Sequence, residues 1–245
     1  MTTIAVLADP PRPGVALPEF VAADLLTDAE AADLYAAMLR DVCGQIERSG
    51  GDLLVNYRSA DDVGGDPEAE IREAIAPAVP DADAVRFEVQ VGSSFSARAG
   101  NTVTHLLETE EVQSAAVVEP TAAFLERRHV DSAAMKLRQA DVVLGPSTDG
   151  RVYYAAFRDT MDFEDAFAAP TVETLTDRAR DSGLSADHVE MLPVLERPSD
   201  LATVLPILRS AEHADRTAPE HTAAVVEELG LRTAIEDGRV TVPRD

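Results

Sequence analysis

The residues best suited to do chemistry lie in one short segment, residues 141–154, with the sequence DVVLGPSTDGRVYY. An apolar run ends there in a turn at Gly145 and Pro146, and Asp149 stands on a second turn made by Gly150. A carboxylate placed just beyond a buried strand can hold a divalent cation or a ribose hydroxyl. Asp-Gly pairs are also common in ordinary turns, so the spacing alone leaves a functional and a structural interpretation open.

Elements that would position this segment are visible as short apolar runs without polar alternation. Such runs are typical of strands buried on both faces, and therefore of a mostly parallel sheet. The runs cover residues 4–7, 53–55, 115–118 and 142–144.

Helical patterns separate these runs. Thr27 and Glu30 form a capping-box pattern, and an apolar stripe at helical spacing follows until Gly50 and Gly51. The resulting βαβα order predicts an α/β fold, a three-layer α/β/α sandwich with a mostly parallel central sheet. The remaining predicted helices cover residues 67–76, 121–140, 172–180, 199–208 and 219–229, and the remaining strands 85–89, 152–157 and 239–242.

Charge is the strongest compositional signal: 45 Asp and Glu stand against 21 Lys and Arg, a net charge of -24, and Lys136 is the only lysine. Such a charge strains a compact state by self-repulsion in dilute buffer, whereas about 1 M salt shortens the Debye length to roughly 3 Å. Because the acidic residues are spread along the whole chain, they favour a halophilic archaeal cytoplasm over a disordered acidic tail. The same charge argues against nucleic acid and anionic membranes as partners.

Several function classes lack their signatures. Phosphate-binding loop, dinucleotide-binding, zinc-protease and nucleophile-elbow motifs are absent from the sequence, and the five histidines show no ligand-like spacing. Cys43 is the only cysteine, which excludes a disulfide framework and fits a reducing cytosol. No run of 18 apolar residues and no basic N-terminal region occur, so we expect a cytoplasmic protein without a membrane span or secretory signal.

Five patterns occur in an order that resembles one family. The chain is similar to the glycosyltransferase-A-like transferases of the selenoprotein- and radical-SAM-associated type, in the nucleotide-diphospho-sugar transferase superfamily. The resemblance covers about residues 3–210 and would make the chain a divergent haloarchaeal member. The patterns are PRPG at residues 11–14, LYAAMLRD at 34–41, Gln90 with Arg98 eight residues later, GPSTDG at 145–150, and PSDL at 198–201.

This resemblance implies a glycosyltransferase-A-like fold and nucleotidyl or glycosyl transfer from a nucleotide or nucleotide sugar. It implies Asp149 and Glu119 as catalytic residues that share one Mg²⁺ or Mn²⁺ ion. The positions implied to bind the nucleotide are Gly14, Gln90, Arg98, Gly145, Pro146, Gly150 and Arg151.

Departures from the family pattern affect charged positions. Where the family has K-T-R-L, this chain has LPEF at residues 17–20, so a lysine becomes Leu17 and an arginine becomes Glu19. A phosphate at this loop would meet repulsion instead of attraction. Arg12, Arg98 and Arg151 remain as the arginines that could meet phosphates.

Acidic positions of the family pattern change as well. Serines at 93, 94 and 96 replace G-D-x-G, and the strand-end G-[ST]-D-x-P reads VVEPT at residues 117–121, with Glu119 as its carboxylate. The paired aspartates of D-x-D-T are replaced around Glu196 and Arg197, and Arg151 takes the place of a second glycine after Gly150. Two interpretations follow: a transferase with a changed substrate, or a non-catalytic descendant that acts as a ligand sensor or assembly partner.

For domain organisation, we expect a main α/β domain over residues 1–215 and a C-terminal helix–strand appendage over residues 216–245. The oligomeric state is not predicted by any pattern in the sequence.

Overall fold

A seven-stranded sheet forms the centre of the protein. The structure, a computed structural model, describes residues 1–214, 217–236 and 239–243. Within these residues the strand order is β3-β2-β1-β4-β6-β5-β7, and β8 and β9 form a separate two-stranded sheet. The strands are β1 (Thr2–Ala8), β2 (Asp52–Tyr57), β3 (Arg86–Val89), β4 (Ser114–Val118), β5 (Val142–Pro146), β6 (Val152–Phe157), β7 (Ala186–His188), β8 (Ala234–Glu236) and β9 (Arg239–Thr241).

The central sheet is mostly parallel, as predicted. β1 pairs in parallel with β2 on one side and with β4 on the other, and β6 alone runs antiparallel to its neighbours β4 and β5. β5, which ends in the GPSTDG segment, lies inside the sheet between β6 and β7.

Helices cover both faces of this sheet, which confirms the three-layer α/β/α architecture. Side chains from α2, α4 and α6 pack on one face, and side chains from α5 and α7 pack on the other. The helices are α1 (Pro18–Ala22), α2 (Asp28–Glu47), α3 (Ala60–Val63), α4 (Pro67–Ile75), α5 (Phe95–Thr104), α6 (Arg127–Lys136), α7 (Thr171–Asp181), α8 (Leu201–His213) and α9 (Glu220–Glu228).

Alternation along β1 explains why its sequence is apolar throughout. Ile4 and Val6 belong to the core on the α2 side, whereas Ala5 and Leu7 belong to the core on the α5 side. Each face of the strand buries its own side chains, so no polar residue interrupts the run.

The capping box predicted for α2 is present. The backbone N–H of Glu30 donates to the Thr27 hydroxyl oxygen at 3.3 Å, and the Thr27 N–H donates to the Glu30 carboxylate at 2.8 Å. These bonds satisfy donors that the first turn of a helix leaves unpaired.

The helix predicted over residues 121–140 is shorter than expected, and this prediction was wrong at both ends. α6 spans Arg127–Lys136. Before it, turns close between Ala122 and Glu119 and between Leu125 and Ala122, and the Thr121 carbonyl accepts from the N–H of Leu195. That bond ties the segment to a distant loop and draws Thr121 out of the helical hydrogen-bond pattern.

The C-terminal helix α9 packs on α2 through a buried polar contact. The Asp41 carboxylate accepts from the backbone N–H groups of His221 (3.1 Å) and Thr222 (2.8 Å) and from the Thr222 hydroxyl (2.7 Å). The expected boundary between residues 215 and 216 lies outside the described residues. No described helix combines the length and apolar character needed to cross a membrane.

Candidate functional site

From β1, the next strands in the chain, β2 and β3, are added on one side of the sheet, whereas β4 to β7 are added on the other side. The gap between β1 and β4, where this direction changes, is called the switch point below. In open α/β sheets, ligands bind in the crevice beyond the carboxyl ends of the strands at such a point. Asp9 directly follows β1 and Glu119 directly follows β4. Two carboxyl groups therefore stand where this architecture places its ligands.

Glu119 is half-buried, and its carboxyl group makes no hydrogen bond or ion pair with any described residue. Burial raises its pKa to about 8, the charges of Glu196 and Asp9 act in the same direction, and the charge of Arg98 opposes them. A carboxyl group with this pKa is mostly protonated at neutral pH, and a bound cation would favour its ionised form.

Asp9 lies in a similar environment. Burial raises its pKa, while the charges of Arg58 and Arg98 act in the opposite direction. Its Oδ1 lies 3.3 Å from Nε of Arg58, and its backbone N–H donates to the Tyr35 hydroxyl at 2.9 Å. The switch point therefore combines two carboxyl groups with two arginines.

Arg98 and Gln90, the pair predicted from their eight-residue spacing, both lie near this point. Arg98 is in the first turns of α5, and its Nε is buried without a hydrogen-bond partner among the described residues. The buried Gln90 amide donates to the carbonyls of Asn56 (2.7 Å) and Ala8 (3.4 Å). Gln90 thus ties the ends of β1 and β2 together, whereas Arg98 keeps an unused donor.

A cavity of about 410 Å³ lies beside Glu119. Residues of β4 and β6 line it, together with Phe95, Phe167, Glu196 and Arg197. The two phenylalanine rings meet edge to face, with centroids 5.2 Å apart. The cavity therefore joins an apolar surface to charged groups, as ligand pockets commonly do.

Arg151 lines the same cavity, but all five of its donors are used by the protein. Its Nε donates to the carbonyl of Thr148 and its Nη2 to the Thr148 hydroxyl, at 3.2 and 2.9 Å. Its Nη1 donates to Glu196 and Asp200, each at 2.9 Å, and Nη2 also donates to Asp200. A phosphate could bind Arg151 only by displacing one of these acceptors.

Asp200, the aspartate of the PSDL pattern, is the main partner of Arg151. Burial would raise the pKa of Asp200, but hydrogen bonds from Arg151 and from the backbone N–H groups of Arg197 and Glu196 lower it overall. The hydrogen bond from Arg151 to Asp200 in turn raises the pKa of Arg151. This buried pair links the start of β6 to the segment that carries Glu196 and Arg197.

Asp149 occupies the turn after β5, with a positive φ of 58° and an exposed side chain. Its Oδ2 lies 3.6 Å from Nη2 of Arg151. Glu119 and Arg151 are in contact with the 410 Å³ cavity, whereas Asp149 is not among the residues that line it. The sharing of one ion by Asp149 and Glu119 remains a prediction.

The predicted glycines and Pro146 have local packing roles. A Cβ on Gly145 would come within 2.5 Å of the Tyr153 ring, and one on Gly150, at φ +70°, would lie 3.0 Å from the Cβ of Pro170. The carbonyl of Pro146 accepts from the N–H of Leu192 at 3.2 Å. These residues shape the end of β5 and the turn that follows it.

The first loop contains Leu17, one of the positions that depart from the family pattern. Leu17 and Phe20 are buried in a core cluster with side chains of α8 and α9. Arg12 donates to the Glu70 carboxylate at 2.9 Å and to two backbone carbonyls. Gly14 has a positive φ of 81° and open space around it.

For a metal ion, the donor chemistry at the switch point is suitable, because Glu119 has no partner among the described residues and faces two other carboxyl groups. Its oxygens do not form a preassembled three-ligand set with those groups. Within the described residues, three potential ligands do lie close together at another place: the ligand atoms of Glu88, His105 and Glu110 are within 4.8 Å of one another. Arg86 already bonds both glutamates of that group.

Similarity to solved structures extends over most of the chain. A crystal structure from Desulfovibrio desulfuricans G20, assigned to the nucleotide-diphospho-sugar transferases, matches with a TM-score of 0.73 and 19% identity, covering 93% of this chain and 94% of that one. A CMP:2-keto-3-deoxy-manno-octonic acid synthetase in complex with CTP matches with a TM-score of 0.50 and 11% identity, covering 85% and 98%. A cytidylyltransferase from Leptospira borgpetersenii matches with a TM-score of 0.50 and 11% identity, covering 93% and 94%.

No protein-family model and no curated protein matches the sequence. The structural similarity shows that the chain has the fold of the nucleotide-diphospho-sugar transferases and cytidylyltransferases. At these identities it shows the fold and leaves the reaction open.

Sequence reasoning missed Asp9 and Arg197 as site residues. Asp9 is the first polar residue after a completely buried strand. Because ligands bind beyond the carboxyl ends of such strands, this position could have identified it. Arg197 stands where the family pattern has paired aspartates, but the pattern does not predict an arginine that lines a cavity, because that depends on the loop between β7 and α8.

Proposed function

We propose that the protein binds a nucleotide or nucleotide sugar in the crevice at the carboxyl ends of β1 and β4 and transfers its nucleotidyl or glycosyl group. The observation that carries this proposal is Glu119, a half-buried carboxyl group without a partner among the described residues, placed at the switch point of a nucleotidyltransferase-like fold. A structural carboxylate in this position would be expected to have an ion-pair or hydrogen-bond partner. Because Glu119 has no such partner within the described part of the chain, a role in binding a ligand is favoured over a structural role.

In this proposal Glu119 and Asp149 hold one Mg²⁺ or Mn²⁺ ion. A divalent cation at Glu119 would offset the repulsion from Asp9 and Glu196 and would supply charge for a pyrophosphate leaving group. Arg98, whose Nε is unused, faces the same point and is our candidate for a phosphate contact. Support for a nucleotide comes from the CTP complex of one structural neighbour.

A second candidate is a non-catalytic member of the fold that acts as a ligand sensor or assembly partner. The observation in its favour is that Arg12 and Arg151 are committed to protein acceptors, while Leu17 is buried in the core. Of the three arginines expected to meet phosphates, Arg98 alone keeps a buried nitrogen without a partner among the described residues.

The finer assignments are part of the same proposal. We propose a divergent, selenoprotein- or radical-SAM-associated type of transferase that works in the cytoplasm of a halophilic archaeon. Support for the setting comes from the net charge of -24 and the presence of a single lysine.

A thermal-shift screen in about 1 M KCl, where surface repulsion is screened, tests the function. Nucleoside triphosphates and nucleotide sugars are added with and without Mg²⁺ or Mn²⁺. We expect a metal-dependent rise in melting temperature that Asp149→Asn abolishes without changing the fold. Glu228→Gln, at an exposed site on α9, is the matched control. Absence of any nucleotide or metal response would support the non-catalytic alternative.

A further inference from the structure

Arg197, which lines the cavity beside Glu119, has a donor that the protein leaves unsatisfied. Its Nε is buried and makes no hydrogen bond within the described part of the chain. Its nearest carboxylate is Glu196, at 3.8 Å from Nη2, beyond hydrogen-bond distance. A buried guanidinium N–H without an acceptor is costly, so such a group calls for an explanation.

The same feature occurs in Arg98 at the neighbouring end of β1 and β4. Across the residues that the structure describes, the arginine Nε atoms that are buried without a hydrogen-bond partner are those of Arg98 and Arg197. Arg98 acts on the pKa of Glu119, and Glu119 and Arg197 line one cavity. Arg197 therefore brings a partly exposed cationic side chain to the cavity, in a protein whose net charge is -24.

Arg197 is held in place by its backbone instead of its side chain. Its N–H donates to Oδ2 of Asp200 at 2.9 Å, and Asp200 is fixed by the buried Arg151. The backbone of Arg197 is therefore fixed, and the one carboxylate contact of its guanidinium group among the described residues is the 3.8 Å approach of Glu196. Substituting the side chain leaves this backbone hydrogen bond available.

Apolar residues complete the cavity. Phe95, Phe167 and Val118 belong to its lining together with the charged residues. A volume of about 410 Å³ is within the usual range for small-molecule sites. The lining thus provides surface for a carbon skeleton next to cationic donors.

We propose that Arg197 directly binds the anionic group of a small organic substrate, a phosphate ester or a carboxylate, in this cavity. Guanidinium groups suit both anions because their planar donors match paired oxygens. The inference rests on the proposed function in treating this anion as part of a transferase substrate. Anion binding itself is measurable without any turnover.

The test is isothermal titration calorimetry with inorganic pyrophosphate and, separately, malonate, at constant ionic strength in about 1 M KCl. The wild type is expected to bind at least one anion saturably, and Arg197→Gln to weaken that binding tenfold or more. Arg197→Lys should recover part of the loss, and it covers the case in which the glutamine variant misfolds. Arg180→Gln, on the exposed end of α7, is the control and should leave binding unchanged.

The two anions distinguish the sources of the charge. Binding that depends on Arg197 and prefers pyrophosphate indicates a phosphate ester, and binding that depends on Arg197 and prefers malonate indicates a carboxylate. Equal affinity of wild type and both Arg197 variants, or no saturable binding of either anion, would overturn the inference. Nucleotides are titrated into the same proteins. If nucleotides bind and substitution of Arg197 does not change their affinity, the anion site is refuted and the proposed function is not. If anions bind in a way that depends on Arg197 but nucleotides do not bind, the proposed function is refuted and the anion site is not.

Discussion

Replacing Glu119 with glutamine should make the protein more stable at alkaline pH. The pKa of Glu119 is raised from 4.5 to about 8, first by burial and then by Glu196 and Asp9. The folded protein therefore retains a proton that the unfolded chain releases above about pH 4.5. This contribution to stability is fully present below pH 4.5 and is lost as the pH rises to about 8, above which the loss is complete.

The size of the effect follows from the shift. One pKa unit corresponds to about 1.4 kcal/mol, so the full shift would correspond to about 5 kcal/mol. Because Glu119 is half-buried and reaches the cavity, solvent screening reduces this figure. We expect Glu119→Gln to gain about 2 kcal/mol relative to wild type between pH 5 and pH 9.

Urea denaturation of both proteins at pH 5 and pH 9, in about 1 M KCl, measures this difference. Groups that do not interact with Glu119 titrate alike in both proteins, so their contributions cancel in the comparison. Glu228→Gln, which replaces an exposed carboxylate, should show the wild-type pH dependence. If Glu119→Gln and wild type respond identically to pH, our description of the Glu119 environment is wrong.

Two further predictions concern the stability of the whole chain. Dialysis from about 1 M to about 0.1 M salt should lower the melting temperature markedly, because the Debye length rises from roughly 3 to 10 Å around a chain of net charge -24; an unchanged melting temperature would contradict the halophilic interpretation. Asp200→Ala should destabilise the fold by about 3–5 kcal/mol in urea titrations, because it removes the main, buried carboxylate partner of Arg151 and leaves the more exposed Glu196. A loss below about 1 kcal/mol would show that Glu196 alone can hold Arg151.

Sequence patterns predicted the layers of the fold because burial on both faces leaves a direct signature. The runs at residues 4–7 and 115–118 lack polar alternation because each strand contributes to both cores. The capping pattern at Thr27 and Glu30 located the start of α2 for a similarly local reason. Local signals of this kind need no knowledge of distant contacts.

Elements whose structure depends on distant contacts could not be predicted from the sequence. α5, which carries Arg98, has a weak helical sequence containing Gly100, and a Cβ at Gly100 would meet the Phe163 side chain at 2.4 Å. The contact between α5 and Phe163, a residue far along the chain, is therefore the reason that position 100 is glycine. The antiparallel direction of β6 was equally invisible, since an apolar strand reads the same in either direction.

For the site, the sequence identified residue types more reliably than their partners. It singled out Glu119 and Arg151, and both line the cavity. It could not show that Arg151 is saturated by Thr148, Glu196 and Asp200, because these acceptors come from separate segments. Whether a guanidinium group stabilises the fold or binds a ligand depends on contacts between residues that are distant in the sequence.

A crystal structure with a nucleoside triphosphate and Mn²⁺, with the ion located by its anomalous signal, tests the central claim most directly. Our account predicts manganese at the Glu119 carboxylate and phosphate density between Glu119 and Arg98, beyond the ends of β1 and β4. Manganese at Glu88, His105 and Glu110 instead, with no nucleotide in the crevice, would contradict it.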